Sequence, residues 1–209
     1  MKINKLVLTY FIFCMGWLLP VSLYAQSAAV QSDPVALLQY IADNMVSQLK
    51  ANKATLKTKP QIVYKLAYEY VVPYADLNEM SKRVLPRDTW LQATPAQRDR
   101  FKKQFTTLLI RTYASALTSY RDQTVKFYPL HGGAEGNTVQ VSSDIVSPDS
   151  QPIHVTYRLL RAGNVWRLYD MSVEGVSLIE SFRSQFADIL AHGNMDQLID
   201  RMSGHNVRG

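Results

Sequence analysis

The sequence is poor in cysteine, in histidine and in charge. Among 209 residues there is one cysteine, Cys14, which excludes a disulfide framework and a cysteine-based structural zinc site. Four histidines, His131, His154, His192 and His205, are scattered, with no other ligand type at metal-binding spacing, so no metal is expected. Charged residues make up only 19% of the chain, too few for a disordered polyelectrolyte. No apolar run reaches the ~18–20 residues that span a bilayer. The Gly132-Gly133…Gly136 stretch lacks the lysine and Ser/Thr of a phosphate-binding loop and reads as a hairpin connection. No serine sits in a strained nucleophile motif. What is abundant is apolar: 47% of residues, enough for the core of one domain of this length.

The first residues read as an address. Lys2 and Lys5 precede a charge-free run from Leu6 to Leu19, Pro20 breaks it, and Leu23-Tyr24-Ala25 follows. This is the three-part plan of a cleavable secretory signal over residues 1–25. Cleavage after Ala25 removes Cys14, Lys2 and Lys5 but no acid, so the net charge falls from +6 to +4. A cysteine-free, mildly basic, exported chain suits the oxidising periplasm. Export also makes nucleic acid an unexpected partner and leaves membrane surfaces and lipid head groups as the available polyanions.

Residues 26–33 form a short polar tether. Residues 34–203 read as a single domain, with 204–209 a tail. Asp33-Pro34 reads as a helix cap followed by proline in the first turn, and Leu37, Leu38, Ile41, Met45 and Leu49 continue at helical spacing. A second helix starts at Pro60, carries Ile62, Val63 and Leu66, and stops or kinks at Pro73. A third spans Tyr74 to Val84 and is closed by Pro86. Thr94-Pro95-Ala96-Gln97 is a capping-box start for the longest helix. Its stripe runs Phe101, Phe105, Leu108, Leu109, Thr112, Ala116, Leu117 and Tyr120.

The period then changes to two. Val125 and Phe127, Val139 to Ile145, Val155 to Leu159, and Val165 to Val173 read as four strands joined by short turns, an antiparallel meander. Ser177 and Glu180 predict another capped helix, with Leu178, Ile179, Phe182, Phe186, Ile189 and Leu190. Gly193 ends it and Asn194 caps a last one. The fold class expected is α+β: a four-stranded antiparallel sheet with helices gathered on one face.

Chemistry is scarce. With no mature cysteine, thiol catalysis is excluded. Asp170 lies in an otherwise apolar strand. It reads as a carboxylate satisfied by nearby donors rather than a general base, because no histidine or tyrosine partner stands at a telling spacing. Three readings stay open on residues alone: a carrier with an apolar cavity, an isomerase- or dehydratase-like enzyme on a related cone-shaped fold, and a ligand-free exported adaptor.

The motifs carry more than the periodicity. Val165-Trp166-Arg167-Leu168-Tyr169-Asp170-Met171 runs into Glu174-Gly175-Val176-Ser177-Leu178, then Ser181-Phe182-Arg183-Ser184-Gln185-Phe186, then Gly193…Leu198-Ile199. Upstream stand Pro73…Asp76…Met80…Val84-Leu85…Trp90…Ala93-Thr94-Pro95…Gln97-Arg98…Phe101…Phe105. Over about Pro34 to Met202 this resembles the MlaC family of periplasmic phospholipid-binding proteins, with Pro86 standing where a glycine is expected. The resemblance implies a curved sheet covered by helices that enclose a deep apolar pocket. It implies bound phospholipid as cargo, no cofactor, no catalysis, and a monomeric shuttle. The implied partners are an outer-membrane lipoprotein–porin complex and an inner-membrane ABC transporter with its substrate-binding ring. The implied role is maintaining outer-membrane lipid asymmetry. The residues expected to line the pocket are Met80, Val84, Phe101, Phe105, Leu108 and Leu109 from the helices, and Val141, Tyr157 and Leu159 from the sheet. The basic residues Lys82, Arg83, Arg87, Arg98, Lys102 and Lys103 flank those helices and are expected to steer encounter with anionic surfaces more than to hold lipid.

Export gives the first testable outcome. N-terminal sequencing of the periplasmic protein should begin at Gln26; a product that retains Lys2 would overturn the reading.

Overall fold

The computed structural model describes residues 30–130, 134, 136–148 and 150–204. The signal segment, Cys14, His131, Gly132, Gly133 and His205 lie outside the described residues. Helix α1 is Pro34–Ala51, capped by Asp33, whose Oδ1 accepts from the Val35 and Ala36 amides at 2.8 and 3.0 Å. Helix α2 is Gln61–Tyr70. The expected Tyr74–Val84 helix is shorter than its pattern. Val72–Tyr74 is a 3-10 turn containing Pro73, and helix α3 covers only Leu77–Val84. The reason is tertiary. Ala75 bridges to Leu168, and the Asp76 amide donates to the Leu168 carbonyl at 2.7 Å, so this backbone covers a free stretch of sheet edge. The Asp76 side chain then caps α3 through the Glu79 amide.

Pro86 does not only close α3. It starts helix α4, Arg87–Gln92, whose single buried residue, Trp90, gives no periodic signal. Helix α5, Pro95–Thr118, begins with the expected Thr94–Gln97 capping box. Its expected stripe holds for Phe101 and Phe105, but Thr112 and Ala116 are exposed and Ala114 is buried instead. Beyond Tyr113 the helix changes packing partners, so one stripe does not serve its whole length.

The sheet runs in the order β1-β2-β3-β4-β5, every neighbour antiparallel. The strands are Thr124–Phe127, Thr138–Ser147, Ser150–Ala162, Val165–Val173 and Val176–Ser177. There are thus five strands, not four. The fifth has two residues, too short for alternation to show. It is folded back by Glu174 and Gly175, whose φ of 48° and 80° suit a tight hairpin turn. Helix α6, Leu178–Ala191, is capped by Ser177. Helix α7, Met195–Met202, has a capping box from Asn194 and Gln197.

Helices pack against both faces of the sheet, not one. Leu159 belongs to a core with α1 and α2, together with Val141 and Trp166. The next residue, Leu160, packs against a second core built by α3 to α7 with Tyr169. Neighbouring strand residues point to opposite faces. A bulge in β4 assists: Arg158 pairs with Asp170 but Leu159 pairs with Leu168, leaving Tyr169 as the extra residue.

Asp170 is 2% exposed and fully partnered. It accepts from the Met171 amide at 2.8 Å, Ser177 Oγ at 2.8 Å, the Ile179 amide at 3.2 Å and Arg158 Nη1 at 3.1 Å. The carboxylate therefore ties β4 to the start of α6. Asp170→Ala should destabilise the fold by about 3 kcal/mol, because buried donors lose their partner; chemical denaturation checks it.

On β2, Asp144 binds the Tyr128 hydroxyl at 2.5 Å and His154 Nδ1 at 3.0 Å. The Tyr128 hydrogen bond, then that of His154, holds the Asp144 carboxyl below its ordinary value of 3.8. A depressed folded-state value adds stability above that ordinary value and loses it as the pH falls through the lower, folded one. Asp144→Asn should therefore flatten the loss of melting temperature between about pH 5 and pH 2.

Candidate functional site

The nine residues expected to line a pocket fall into two places. Met80, Val84, Phe101 and Phe105 are buried in the helical core, and Leu108 and Leu109 border it, partly exposed. Val141 and Leu159 are buried in the sheet-facing core, and Tyr157 borders that one. The structure therefore brings the helical six together and the sheet three together, without merging the sets.

The two cores are packed differently. In the helical core, Phe101 and Phe105 from α5 meet Phe182 and Phe186 from α6. Five ring pairs have centroids 5.5–5.8 Å apart, each contributing about 0.5–1.5 kcal/mol beyond area burial. These phenylalanines recur at four-residue spacing on each helix, so the rings stack along one seam. Here α5 turns its apolar stripe to other helices rather than to the sheet, contrary to expectation.

The sheet-facing core is sealed more loosely. Leu37, Leu38, Ile41, Met45 and Leu49 of α1, with Val63 and Leu66 of α2, cover Val141, Leu159 and Trp166. Around them stand partly exposed large groups, among them Tyr64, Tyr70, Tyr74, Phe127, Tyr157 and Leu168. Its aromatic contacts are Phe127 with Tyr157 at 5.7 Å, and Tyr40 with Tyr74 at 5.8 Å. One polar pair sits on this floor: Ser143 Oγ lies 3.3 Å from the Tyr157 hydroxyl. Burial pushes the Tyr157 phenol above its ordinary value, and the Ser143 bond opposes it. Sequence alternation pointed to Val141, Tyr157 and Leu159; Ser143 was missed because a serine among apolar alternates reads as a solvent position.

Two clefts of about 490 Å³ each open on the surface, and none of the nine residues lines either. Neither of these two clefts is the deep apolar pocket that the resemblance implies. The first cleft lies beside Ala75, Asp76 and Leu77, with Lys102, Lys103 and Arg167 at its rim. The second lies between α3, α4 and the start of α6. Lys82, Arg83, Arg87, Arg158 and Arg183 line it, with Trp90, Leu91 and Tyr169. Arg98, expected with the steering charges, has a structural role: it donates to the Trp90 carbonyl at 2.8 and 3.1 Å and lies over the Trp90 ring.

No acid–base pair suited to catalysis assembles around Asp170, whose oxygens are committed to four donors. Among the described residues no group of His, Cys, Asp or Glu is placed to hold a metal. No described helix is long and apolar enough to cross a membrane.

The family model described as MlaC protein matches residues 39–204. The chain is 27% identical over 203 residues to the intermembrane phospholipid transport system binding protein MlaC of Haemophilus influenzae, covering 95% of this chain and 94% of that protein. It is 28% identical over 173 residues to the toluene tolerance protein ttg2D of Pseudomonas putida, covering 82% and 80%. Among solved structures it is similar to the phospholipid-binding protein of Ralstonia solanacearum in complex with a phospholipid. The TM-score is 0.77 at 30% identity, covering 84% of this chain and 98% of that one.

Proposed function

Because the chain belongs to the MlaC family, we propose that it is a periplasmic phospholipid carrier. The observation that carries this reading is the likeness of its fold to a phospholipid-loaded protein along almost the whole of that protein. In this reading the signal at residues 1–25 delivers it to the periplasm. There it moves lipid, as a monomer and without catalysis, between an outer-membrane lipoprotein–porin complex and an inner-membrane ABC transporter with its substrate-binding ring. The outcome is maintenance of outer-membrane lipid asymmetry.

The need for a carrier is physical. Two acyl chains of about 16 carbons, at ~0.8 kcal/mol per buried CH₂, lie on the order of 25 kcal/mol uphill in water. A bilayer offers nearly the same shelter as a protein interior, so the net exchange must be small or the load would never leave. Partners then set direction by differential affinity. The interior that accepts the chains is the one bounded by the nine residues. The sheet-facing half yields: Val141, Tyr157 and Leu159 form the bed, and α1 and α2 lift from it. Met80, Val84, Phe101 and Phe105 hold the frame, with Leu108 and Leu109 at its border. The looser seal and sparser ring contacts of the sheet-facing half support this division. The phosphate stays at the mouth in water, because burying it unpaired is expensive.

Solvent extraction and mass spectrometry of the purified protein should release phospholipid at a fixed stoichiometry. A protein free of lipid from its native host would instead favour an adaptor. Val141→Trp should exclude lipid by filling the bed, at about 1–3 kcal/mol of strain. Leu159→Glu should lose lipid because its carboxylate meets apolar chains. Thermal melts accompany both, and a folded variant with normal lipid would remove that residue from the site.

A further inference from the structure

Of the two clefts, the second is the more strongly charged. Five cationic side chains, Lys82, Arg83, Arg87, Arg158 and Arg183, line it against two acids, Asp170 and Glu180. The excess is only partly neutralised locally: Glu79 pairs with Arg83 at 2.8 Å and lies 4.0 Å from Lys82, Asp170 pairs with Arg158, and Glu180 lies 3.8 Å from Arg183, while Arg87 has no ion pair among the described residues. Four of the five cations are arginines, whose planar fork matches a carboxylate bidentately. The floor is rigid: Arg83 lies over the Tyr169 ring at 4.5 Å, and Arg158 is pinned to buried Asp170. At the rim Leu91 is 56% exposed beside Trp90, which is 8% exposed.

We propose that this cleft docks a carboxylate-rich segment of a partner protein, with one apolar side chain of that segment seated on Leu91. The proposal rests on the carrier reading only in that a carrier must engage partners. Charge complementarity selects the occupant. A bilayer surface is a poorer fit, because the charges line a concavity between α3, α4 and α6, and of the large apolar groups lining it only Leu91 is strongly exposed. The phosphate of the carried lipid is a poorer fit too. Behind the cleft stand Leu85 and Ile179, both 3% exposed in the packed helical core, where tails attached to that phosphate find no room. The site is therefore a handle on the frame, on the opposite side of β4 from the bed that yields, so it can be held while the load moves.

The test is a titration of the isotope-labelled protein followed through its amide signals. Three probes are used separately: a capped peptide of Glu and Asp around one central Leu, inorganic phosphate, and phosphatidylglycerol vesicles. The peptide should shift amides confined to residues 82–91, 158, 169–170 and 179–183. Its affinity should fall at least about tenfold in Arg87→Glu/Arg183→Glu, and should fall again at tenfold higher salt. Arg87→Gln, an exposed unpaired position, repeats the test with a milder loss if the double variant does not fold. Peptide shifts outside these segments, vesicles saturating the same amides more tightly, or phosphate alone displacing the peptide would each overturn the proposal. Lipid extracted from the same samples separates the two readings. The variants should retain wild-type phospholipid content, whereas a wild-type protein without phospholipid strikes the carrier reading and leaves the peptide result to be judged alone.

Discussion

Between Leu168 and Asp170, strand β4 carries one residue more than the strand opposite it. Strict alternation would put these two side chains on the same face. The extra residue, Tyr169, turns them apart. Leu168 joins the apolar groups under α1 and α2, while Tyr169 joins the helical core. The carboxylate of Asp170 then finds Ser177 and the first amides of α6. Without the bulge a carboxylate would share a face with Leu168, at the full cost of an unpaired buried charge. With it, one residue organises a hairpin, a helix start and the partition of the interior.

That partition separates two jobs that conflict in one core. A carrier must hold its shape in water, empty or loaded, and must also make room for two flexible chains. Close ring packing along α5 and α6 stabilises one half by contacts that fail when rings move apart. The other half rests on aliphatic contacts with α1 and α2 and is bordered by partly exposed tyrosines. On the proposed reading, apolar side chains facing tails lose little when they exchange protein contacts for methylene contacts, which would let this half part at low net cost. On its floor Ser143 donates to the Tyr157 hydroxyl, a bond within β2 and β3 that does not involve α1 or α2.

Basic side chains stand on both halves: Lys50, Lys57, Lys59 and Lys65 on α1, α2 and the turn between them, and Lys82, Arg83, Arg87 and Arg183 around the second cleft. Across β2 and β3, next to the end of β1, stands the Tyr128–Asp144–His154 group, whose polar atoms hydrogen-bond to one another.

Several features were legible in the sequence because they depend on neighbours in the chain. The caps at Asp33, Thr94, Ser177 and Asn194 are local hydrogen bonds, and side-chain type and spacing specify them. The meander follows from period-two runs joined by short turns. The motif around Trp166 to Phe186 carried the family, and with it the expectation of lipid. Tertiary structure alone decided the rest. Ala75 leaves its helix because a strand edge is free beside it; Pro86 starts a helix because Trp90 finds a core; a two-residue strand forms because Glu174 and Gly175 can fold back. Above all, periodicity says that Phe105 and Leu159 are both buried, not that they are buried in different places. Burial against one partner and burial against another leave the same mark on a sequence, because apolar surface is non-directional, and only the backbone path through the β4 bulge assigns each to its side.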